Sequence, residues 1–328
     1  MVGRIIEFSA RNRFIVFLLV FGLATAGLWA MKNTPVDALP DLSDTQVIIY
    51  TTWMGRSPDL VEDQITYPIV TALLSAPKVT VVRGFSDFGF SYVYVLFKDG
   101  TDIYWARSRV LEYMNQLAGK LPEGVTPQLG PDATAVGWVF QYALVDESGQ
   151  QDLSSLRSFQ DWYLRYWLRS VEGVAEVASV GGFVRQYQVN LDPTKVLAYK
   201  LSLPEIIEKI RMSNNDVGGR VVEISGIEYM IRGRGYIKSV ADIEKVAVGV
   251  NPNGTPILLR DVATVRLGPD MRRGLVELDG QGEVVGGIVI MRFGENALTV
   301  IERIKAKLKE LEPTMPKGVK VVTTYDRS

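Results

Sequence analysis

FIVFLLVFGLATAGLWAM, at Phe14–Met31, is a run of eighteen residues without a charged side chain. As a helix this run would be roughly 27 Å long, which is close to the thickness of the hydrocarbon core of a bilayer. Three arginines precede the run, and the first acidic residue after it is Asp37. Because basic residues collect on the cytoplasmic side of a spanning helix, the sequence predicts a cytoplasmic segment at 1–13, a transmembrane helix at 14–31 and an exported remainder.

The alternative interpretation of this run is a cleaved signal peptide. Phe14–Leu23 would be its apolar region, and Ala24-Thr25-Ala26 matches a small-residue cleavage site. The apolar run continues past that site to Met31, where a cleaved leader would carry a polar segment. The transmembrane helix is therefore favoured. Both interpretations export the rest of the chain, and they differ in whether it stays attached to the membrane.

The ten residues at the start of the chain mix apolar and charged side chains. Ile6 and Phe8 stand beside Arg4 and Glu7. A short helix with such a composition is typical of a segment that lies at a membrane surface. The sequence therefore predicts one or two amphipathic turns on the cytoplasmic face.

Composition excludes several classes of function. The chain has 36 basic and 37 acidic residues, a net charge of -1, and no long basic run, which argues against nucleic acid as a partner. It has no cysteine, so an exported chain would fold without disulfides. It also has no histidine, which removes the commonest metal ligand and the usual general base. With no nucleophile–base pair and no phosphate loop, the sequence predicts neither an enzyme nor a bound cofactor.

Two parts of the exported region repeat a strand–helix–strand–strand–helix–strand pattern. The first part begins with a strand at Asp44–Trp53, and Pro68 is expected to kink the helix that follows. The second begins with a strand at Val136–Val145, breaks off after Val184 and resumes near Arg273. The segment PKVTVVRGFSDFGFSYVYVLF of the first part resembles EGVAEVASVGGFVRQYQVNLD of the second. These echoes predict a duplicated ferredoxin-like βαββαβ unit.

The stretch that interrupts the second repeat has helices and strands of its own. Ser202-Leu203-Pro204-Glu205 is a capping box, and Gly218–Ile237 has the glycine-punctuated pattern of a hairpin. The glycines of this hairpin would let it reach a neighbouring subunit as an arm, or would simply form its turns.

Five long stretches resemble heavy-metal efflux permeases of the resistance-nodulation-division superfamily. They are PVDALPDLSDTQVII at Pro35–Ile49, VRGFSDFG at Val82–Gly89, DGTDIYWARSRVLEY at Asp99–Tyr113, LGPDATAVGW at Leu129–Trp138 and GPDMRRG at Gly268–Gly274. The resemblance covers essentially the whole chain and is strongest to the copper/silver branch. Zinc and cobalt relatives tend to carry an acid where this chain has Trp138, which also favours the branch for monovalent metals.

The resemblance implies the N-terminal part of a proton-driven inner-membrane pump for heavy-metal cations, Cu(I) or Ag(I). Such a pump is a homotrimer that works with a periplasmic adaptor and an outer-membrane channel. The implied fold is α+β, with a transmembrane helix followed by two ferredoxin-like porter subdomains in the periplasm. The first would span 36–133 and the second 134–181 with 269–328, interrupted by a channel-docking α+β subdomain at 182–268.

Few of the family's functional positions fall within this chain, and its protonatable membrane acids and metal-binding methionine cluster would lie beyond it. By resemblance, Arg83 belongs to the entrance of the substrate path; alternatively it is a solvated arginine at a strand end. The helix Ile103–Ala118, which carries Arg107 and Glu112, would line the trimer axis. Its alternative role is that of an ordinary amphipathic helix covering its own sheet.

Nine methionines raise the question of a soft-metal site, since thioethers suit Cu(I). None has M-x-x-M or M-x-M spacing, so core filling or chance exposure is predicted for each. A long-range cluster of Met54, Met230 and Met291 stays open. We predict that this chain alone neither pumps nor holds a transition metal tightly.

Two other functions remain open at this stage. A permease for drugs or organic solutes is disfavoured by the PVDALPDLSD and DGTDIYWARSRV signatures. A stand-alone periplasmic interaction module would be tethered to the membrane and move nothing. A reading frame that continues past Ser328 into several apolar spans would support the pump, and a stop codon there would support the module. The sequence does not specify the metal or whether Ser328 is a natural end.

Overall fold

The N-terminal region consists of two consecutive helices. The computed structural model describes residues 2–33, 41–117, 119–134, 136–272 and 274–328. Helix α1 spans Val2–Arg11 and helix α2 spans Arg13–Asn33. Within the described ranges, α2 is the one helix long and apolar enough to cross a membrane, and none of the span Arg13–Met31 is buried. The apolar helix expected from the sequence is therefore present.

The first repeat folds into a four-stranded antiparallel sheet covered by helices. Its elements are β1 (Gln46–Thr52), α3 (Pro58–Val61), α4 (Tyr67–Leu73), β2 (Val79–Asp87), β3 (Phe90–Phe97), α5 (Ile103–Gln116) and β4 (Gln128–Leu129). The strand order is β2-β3-β1-β4, and helices connect β1 to β2 and β3 to β4. This arrangement is the predicted ferredoxin-like unit. Ala118, the predicted end of α5, lies outside the described residues.

Alternation along the central strands explains which face of this sheet is covered. In β1 and β3 every second residue is buried against the helices, and the residues between them are half-buried. The core consists of Val47, Ile49, Ile65, Ile69, Leu73, Val93, Val95, Phe97, Ala106, Val110 and Leu117. Each fully buried aliphatic side chain contributes about 1.5–3 kcal/mol relative to an exposed one. The opposite side of the sheet is called the open face below.

A π-helical turn at Glu62–Thr66 joins α3 to α4. Pro68 follows directly, and a proline has no N–H for the carbonyl four residues back and crowds that carbonyl with its ring. The wider π-turn accommodates both effects, so the kink expected at Pro68 takes this form. The second repeat has a π-turn at Gln160–Leu164, in the matching helix, without a proline. The shared position of the two π-turns is additional evidence for the duplication.

Four hydroxyl groups are enclosed between this π-turn and the sheet. The Thr66 hydroxyl lies 2.7 Å from that of Ser86 and 2.8 Å from that of Ser91. Thr51, opposite Ser91 in the sheet, is 1% exposed, and its hydroxyl has no hydrogen-bond partner among the described residues. A buried hydroxyl costs stability unless it is hydrogen-bonded. Thr66 therefore stabilises this cluster, and Thr51 does not.

Isosteric substitutions at these two threonines are expected to have opposite signs. Thr51→Val should raise the free energy of unfolding by about 1 kcal/mol, because it removes an unpaired buried hydroxyl. Thr66→Val should lower it by about 2 kcal/mol, because it leaves two serine hydroxyls without their partner. Urea unfolding followed by circular dichroism measures both changes. Equal signs for the two variants would contradict the hydrogen-bond arrangement.

The second repeat begins like the first and is then interrupted. Its opening elements are β5 (Trp138–Asp146), α6 (Leu153–Phe159), α7 (Arg165–Arg169) and β6 (Val174–Gly181). Gly181 and Gly182 follow with φ of 71° and 57°, a left-handed conformation that glycine adopts without strain. The chain leaves the repeat at this point.

The inserted segment forms small antiparallel sheets and short helices. Its elements are β7 (Arg185–Leu191), α8 (Pro193–Ala198), α9 (Leu203–Ser213), β8 (Val217–Ile224), β9 (Ile227–Gly233), α10 (Val240–Glu244), β10 (Ala247–Val250), β11 (Pro256–Leu258), α11 (Leu259–Val262) and β12 (Ala263–Pro269). Strands β7 and β12 pair along their whole length, with Arg185 opposite Pro269. The two ends of the insertion therefore lie side by side.

The repeat is completed after the insertion by β13 (Val285–Met291), α12 (Ala297–Leu311) and β14 (Val319–Asp326). The sheet order is β14-β5-β13-β6, which is the order of the first repeat with last, first, third and second strands in sequence. Strand β7 pairs with β12 within the insertion, and β13 takes the place of the third strand of the repeat. Arg273, where the repeat was expected to resume, lies outside the described residues.

The chain divides into two compact units. One comprises 1–147, 163–179 and 286–328, and the other comprises 148–162 and 180–285. The first unit contains nearly all of both four-stranded sheets. The second contains the inserted elements around a core that includes Ile206, Ile243, Val248, Ile257, Leu259 and Val262. The subdomain boundaries expected from the sequence stay predictions.

Candidate functional site

Helix α5 carries two of the residues singled out from the sequence. The helix begins where the Asp102 carboxylate accepts a hydrogen bond of 2.7 Å from the Trp105 amide, a standard N-terminal cap. Arg107 donates to the Gly130 carbonyl at 2.8 Å, so it holds a loop of the same chain. Glu112 forms an ion pair of 2.6 Å with Arg109 on the same helix. A role of Arg107 and Glu112 at a trimer axis stays a prediction.

Arg83 lies on the open face of the first sheet. It stands on β2 opposite Tyr94 of β3, and it is exposed. The next pair along this face is Phe85 and Tyr92, whose ring centroids are 6.4 Å apart. Arginine and aromatic side chains supply no soft metal ligand, so this face suits steering or packing better than metal coordination. The assignment of Arg83 to a substrate path stays a prediction.

The segment at 130–137, called the linker below, connects the two repeats and is bonded to both. Gly130 donates its amide to the Ile48 carbonyl of β1 at 2.7 Å. Gly137 accepts from the Met291 amide of β13 at 2.7 Å, and a Cβ on Gly137 would lie 3.1 Å from the Met291 oxygen. Only glycine permits this approach without a shift of the neighbouring strand.

Asp132, at the centre of the linker, joins side chains from both repeats. Its Oδ2 accepts from the Tyr104 hydroxyl at 3.3 Å and lies 3.4 Å from Arg292 Nε. Its carbonyl accepts from the Phe293 amide at 3.0 Å. Burial, followed by the Asp132 charge and hydrogen bond, raises the pKa of Tyr104 above its ordinary value. The phenol therefore stays a donor across the physiological range.

The linker also contacts the two parts of the chain that flank the four-stranded sheets. Arg327, after β14, donates from its guanidinium to the Val136 carbonyl. Asp41, on the other side, titrates below its ordinary pKa. Burial opposes ionisation of that carboxyl, but hydrogen bonds from Thr134 and Ser43 and the charge of Arg327 outweigh burial. The linker therefore fixes the first sheet, the second sheet and both flanking segments to one another.

Sequence reasoning found the linker as the motif LGPDATAVGW but missed its side-chain cluster. Asp132 and Arg292 are far apart in sequence, and no local periodicity relates them. The only local signal is the pair of glycines that bounds the segment.

The methionines left open from the sequence differ in their environments. Met291 is 7% exposed within β13, whereas Met54 and Met230 are 51% and 81% exposed. Core filling therefore describes Met291, as predicted. Within the ranges that the structure describes, no group of three or more acidic, histidine or cysteine side chains is placed to hold a metal ion.

Strands β8 and β9, called the arm below, form a hairpin that is exposed on both faces. Every residue of both strands is exposed, including Val221, Ile224 and Met230. An isolated two-stranded hairpin is marginally stable in water, and exposed apolar strands favour association. The arm is therefore a candidate interface.

Asp216 holds the base of the arm. Its carboxylate accepts from Arg232 at 2.5 Å and from the Gly235 amide at 2.9 Å. These bonds, with that from Arg232 the strongest, lower the pKa of Asp216 below its ordinary value. Because the folded pKa is lowered, the stabilisation is complete above the unfolded pKa and is lost as the pH falls through the lowered value.

Comparison with known proteins gives a consistent result. Residues 5–328 match the family model described as the AcrB/AcrD/AcrF family. The protein SilA of Salmonella typhimurium, named for cation efflux, is 56% identical over 328 residues, which are 100% of this chain and 31% of SilA. The cation efflux system protein CusA of Escherichia coli K12 is 54% identical over the same share of each chain.

A solved structure of a heavy metal efflux pump, in crystal form II, superposes with a TM-score of 0.87 at 33% identity. The superposition covers 97% of this chain and 31% of that one. The chain therefore spans about a third of the length of these relatives.

Proposed function

The chain belongs to the AcrB/AcrD/AcrF family, and from this premise we propose that it forms the N-terminal part of a proton-driven inner-membrane permease for heavy-metal cations. The proposed cargo is Cu(I) and Ag(I), and the activity is proton/cation antiport rather than enzymatic catalysis. The observation that carries the proposal is the match to SilA and CusA over all 328 residues, because both are named for cation efflux. The structural likeness to a heavy metal efflux pump supports the same assignment.

The proposal assigns a task to each part of the chain. Helix α2 anchors it in the inner membrane with its N-terminus in the cytoplasm, and the two repeats at 36–133 and 134–181 with 269–328 are porter subdomains. The insertion at 182–268 docks the outer-membrane channel, and a periplasmic adaptor completes the complex. The linker supports this scheme, because its bonds to both sheets would carry a movement of one porter subdomain to the other.

Assembly as a homotrimer is the other part of the proposal. The arm supports it, since its exposed apolar strands would be covered by a neighbouring subunit. Helix α5, with Arg107 and Glu112, would face the trimer axis through its exposed Leu111. Arg83 would lie beside the substrate path on the open face.

A chimeric pump tests the function directly. The corresponding first third of Escherichia coli CusA is replaced by this chain, which aligns with it over 328 residues. In a strain that lacks CusA, the chimera should restore growth on silver and copper to the level of CusA, because the remaining two thirds would supply the membrane acids and metal ligands. Intact CusA and an empty vector are the controls. A chimera that reaches the membrane as a trimer and gives no metal tolerance would count against the proposal.

The same strain separates the other candidate functions. Tolerance to organic dyes without metal tolerance would favour a drug permease, and adaptor binding without any tolerance would favour an interaction module. In the chimera, Arg83→Ala should reduce metal tolerance and Arg83→Lys should retain most of it, if a positive charge on the open face guides the substrate along its path. Equal tolerance of Arg83→Ala and the parent chimera would remove Arg83 from the path.

A further inference from the structure

We propose that α1 is an interfacial anchor that binds the surface of an anionic lipid bilayer. This proposal rests on the membrane insertion of α2 proposed above, and it goes further by giving α1 a partner of its own. The partner is the layer of lipid phosphates and glycerol groups at the end of the span, on the cytoplasmic side.

The boundary between α1 and α2 lies at a single residue, Asn12. Its amide and its side-chain Nδ2 both donate to the Phe8 carbonyl, at 2.9 and 3.1 Å. The next bond is the shorter turn from the Ile15 amide to the Asn12 carbonyl at 3.0 Å. A side chain that competes for a helical carbonyl interrupts the regular ladder. Asn12 therefore ends α1, and α2 begins with the regular bond from the Val16 amide to the Asn12 carbonyl at 3.2 Å.

The two sides of α1 differ in polarity. Ile6 and Ala10 are four residues apart and share one side, and Glu7 and Arg11 share the side about 100° further round. Ile6 is 64% exposed, and Phe8 is 59% exposed. Ile6 and Phe8 stand about 160° apart round the helix, with Ser9 between them. They bound a broad side that faces away from Glu7 and Arg11. Exposed apolar side chains on such a side favour contact with a covering surface.

Position and charge identify the covering surface as lipid. The span at Arg13–Met31 has 19 residues, which is about 28 Å of helix and matches the hydrocarbon core, so Arg13 falls at the edge of that core. Arg11 and Arg13 are both exposed there, one on each side of the break. A guanidinium binds phosphate through paired hydrogen bonds, and basic side chains near the membrane surface are attracted to anionic lipid. Helix α1 then lies along the surface with Ile6 turned toward the acyl chains.

Spin labels on single cysteines test this placement, because the chain contains no cysteine of its own. The full chain is labelled at Ile6→Cys, at the adjacent Glu7→Cys and, as a control for insertion, at Phe21→Cys. Each is reconstituted in vesicles of phosphatidylcholine with phosphatidylglycerol and in vesicles of phosphatidylcholine alone. Collision rates are measured with oxygen, which concentrates in lipid, and with a water-soluble nickel chelate.

We expect the Ile6→Cys label to collide more with oxygen and the Glu7→Cys label to collide more with the nickel chelate. This difference should shrink severalfold in phosphatidylcholine alone and in the Arg11→Gln/Arg13→Gln variant. Nickel collisions at both α1 labels, with the Phe21→Cys label in lipid, would overturn the anchor and leave the span intact. Shielding of both α1 labels from both reagents would mean a protein contact and would also overturn it. A Phe21→Cys label exposed to water would instead contradict the proposed insertion of α2.

Discussion

Gly287→Val is expected to lower the free energy of unfolding by about 3 kcal/mol, at the upper end of the usual range for an overpacked core. Gly287 lies in β13, a central strand of the second sheet. A Cβ at this position would stand 2.5 Å from Cζ and 2.7 Å from Cε1 of Tyr142, and closer still to its hydroxyl. Tyr142 is only 2% exposed, so its ring has no free space to move into. Valine would add two further methyl groups to this contact.

Urea unfolding of the full chain in detergent measures the change, and Gly218→Val is the matched control. Gly218 also lies in a strand, but a Cβ there would meet nothing within 4 Å. We expect the control to change stability by no more than about 0.5 kcal/mol. The double variant Gly287→Ala/Tyr142→Leu should lose less unfolding free energy than the sum of the losses in the two single variants, because leucine leaves room for the new methyl group. If the two losses add up, the steric conflict of Gly287→Ala does not involve Tyr142.

Local patterns were enough to predict several elements of the fold. The apolar run of α2, the capped start of α5 and the βαββαβ repeat each depend on residues that are neighbours in sequence. The duplication was visible because two segments of the chain resemble each other in sequence. These features come from periodicity and capping, which the chain displays residue by residue.

Pairings between distant residues were not predictable in the same way. The segment that contains β7 resembles in sequence the hairpin of the first repeat, but β7 does not join the four-stranded sheet. The place of the third strand goes to β13, which is buried at nearly every position, whereas β7 has no buried residue. An apolar strand such as β13 fits the centre of a sheet that is covered by helices, and β7 fits a small exposed pair.

The candidate residues divide along the same line. Arg83, Arg107 and Glu112 were singled out through motifs, and their functional roles stay predictions. Asp132 was missed because its partners, Tyr104 and Arg292, come from two different repeats. A cluster of this kind becomes visible only after both repeats are folded.

Removal of the arm is expected to abolish the trimer of the chimeric pump. The change replaces 218–232 by a short glycine–serine turn and leaves the rest of the insertion in place. Every residue removed is exposed, so the fold of one subunit should be little affected. The apolar strands gain stability only when another surface covers them, and in the proposed assembly that surface is a neighbouring subunit. Native mass spectrometry in detergent would give monomer in place of trimer.

Charged substitutions locate the covered face of the arm. Val221 pairs with Met230 on one side of the hairpin, and Val222 pairs with Tyr229 on the other. Val221→Glu/Met230→Glu and Val222→Glu/Tyr229→Glu should each weaken the trimer, since both sides are apolar and both need cover. If only one pair matters, the arm lies flat on its neighbour. If the trimer persists after removal of the whole arm, other surfaces hold the subunits together, and α5 is the first of these to test.

Asp216→Ala should weaken the trimer less than removal of the arm does. The Asp216 carboxylate accepts hydrogen bonds from Arg232 and from the Gly235 amide at the base of the hairpin. The variant therefore keeps the apolar strands but lets the arm change its orientation relative to the rest of the insertion. An arm without the Asp216 bonds loses conformational entropy when it binds a neighbouring subunit, whereas an arm that these bonds already orient loses less. Trimer stability should therefore fall in the order parent, Asp216→Ala, arm removed. If Asp216→Ala equals the parent, the base does not set the direction of the arm, and the strands alone determine the strength of the interface.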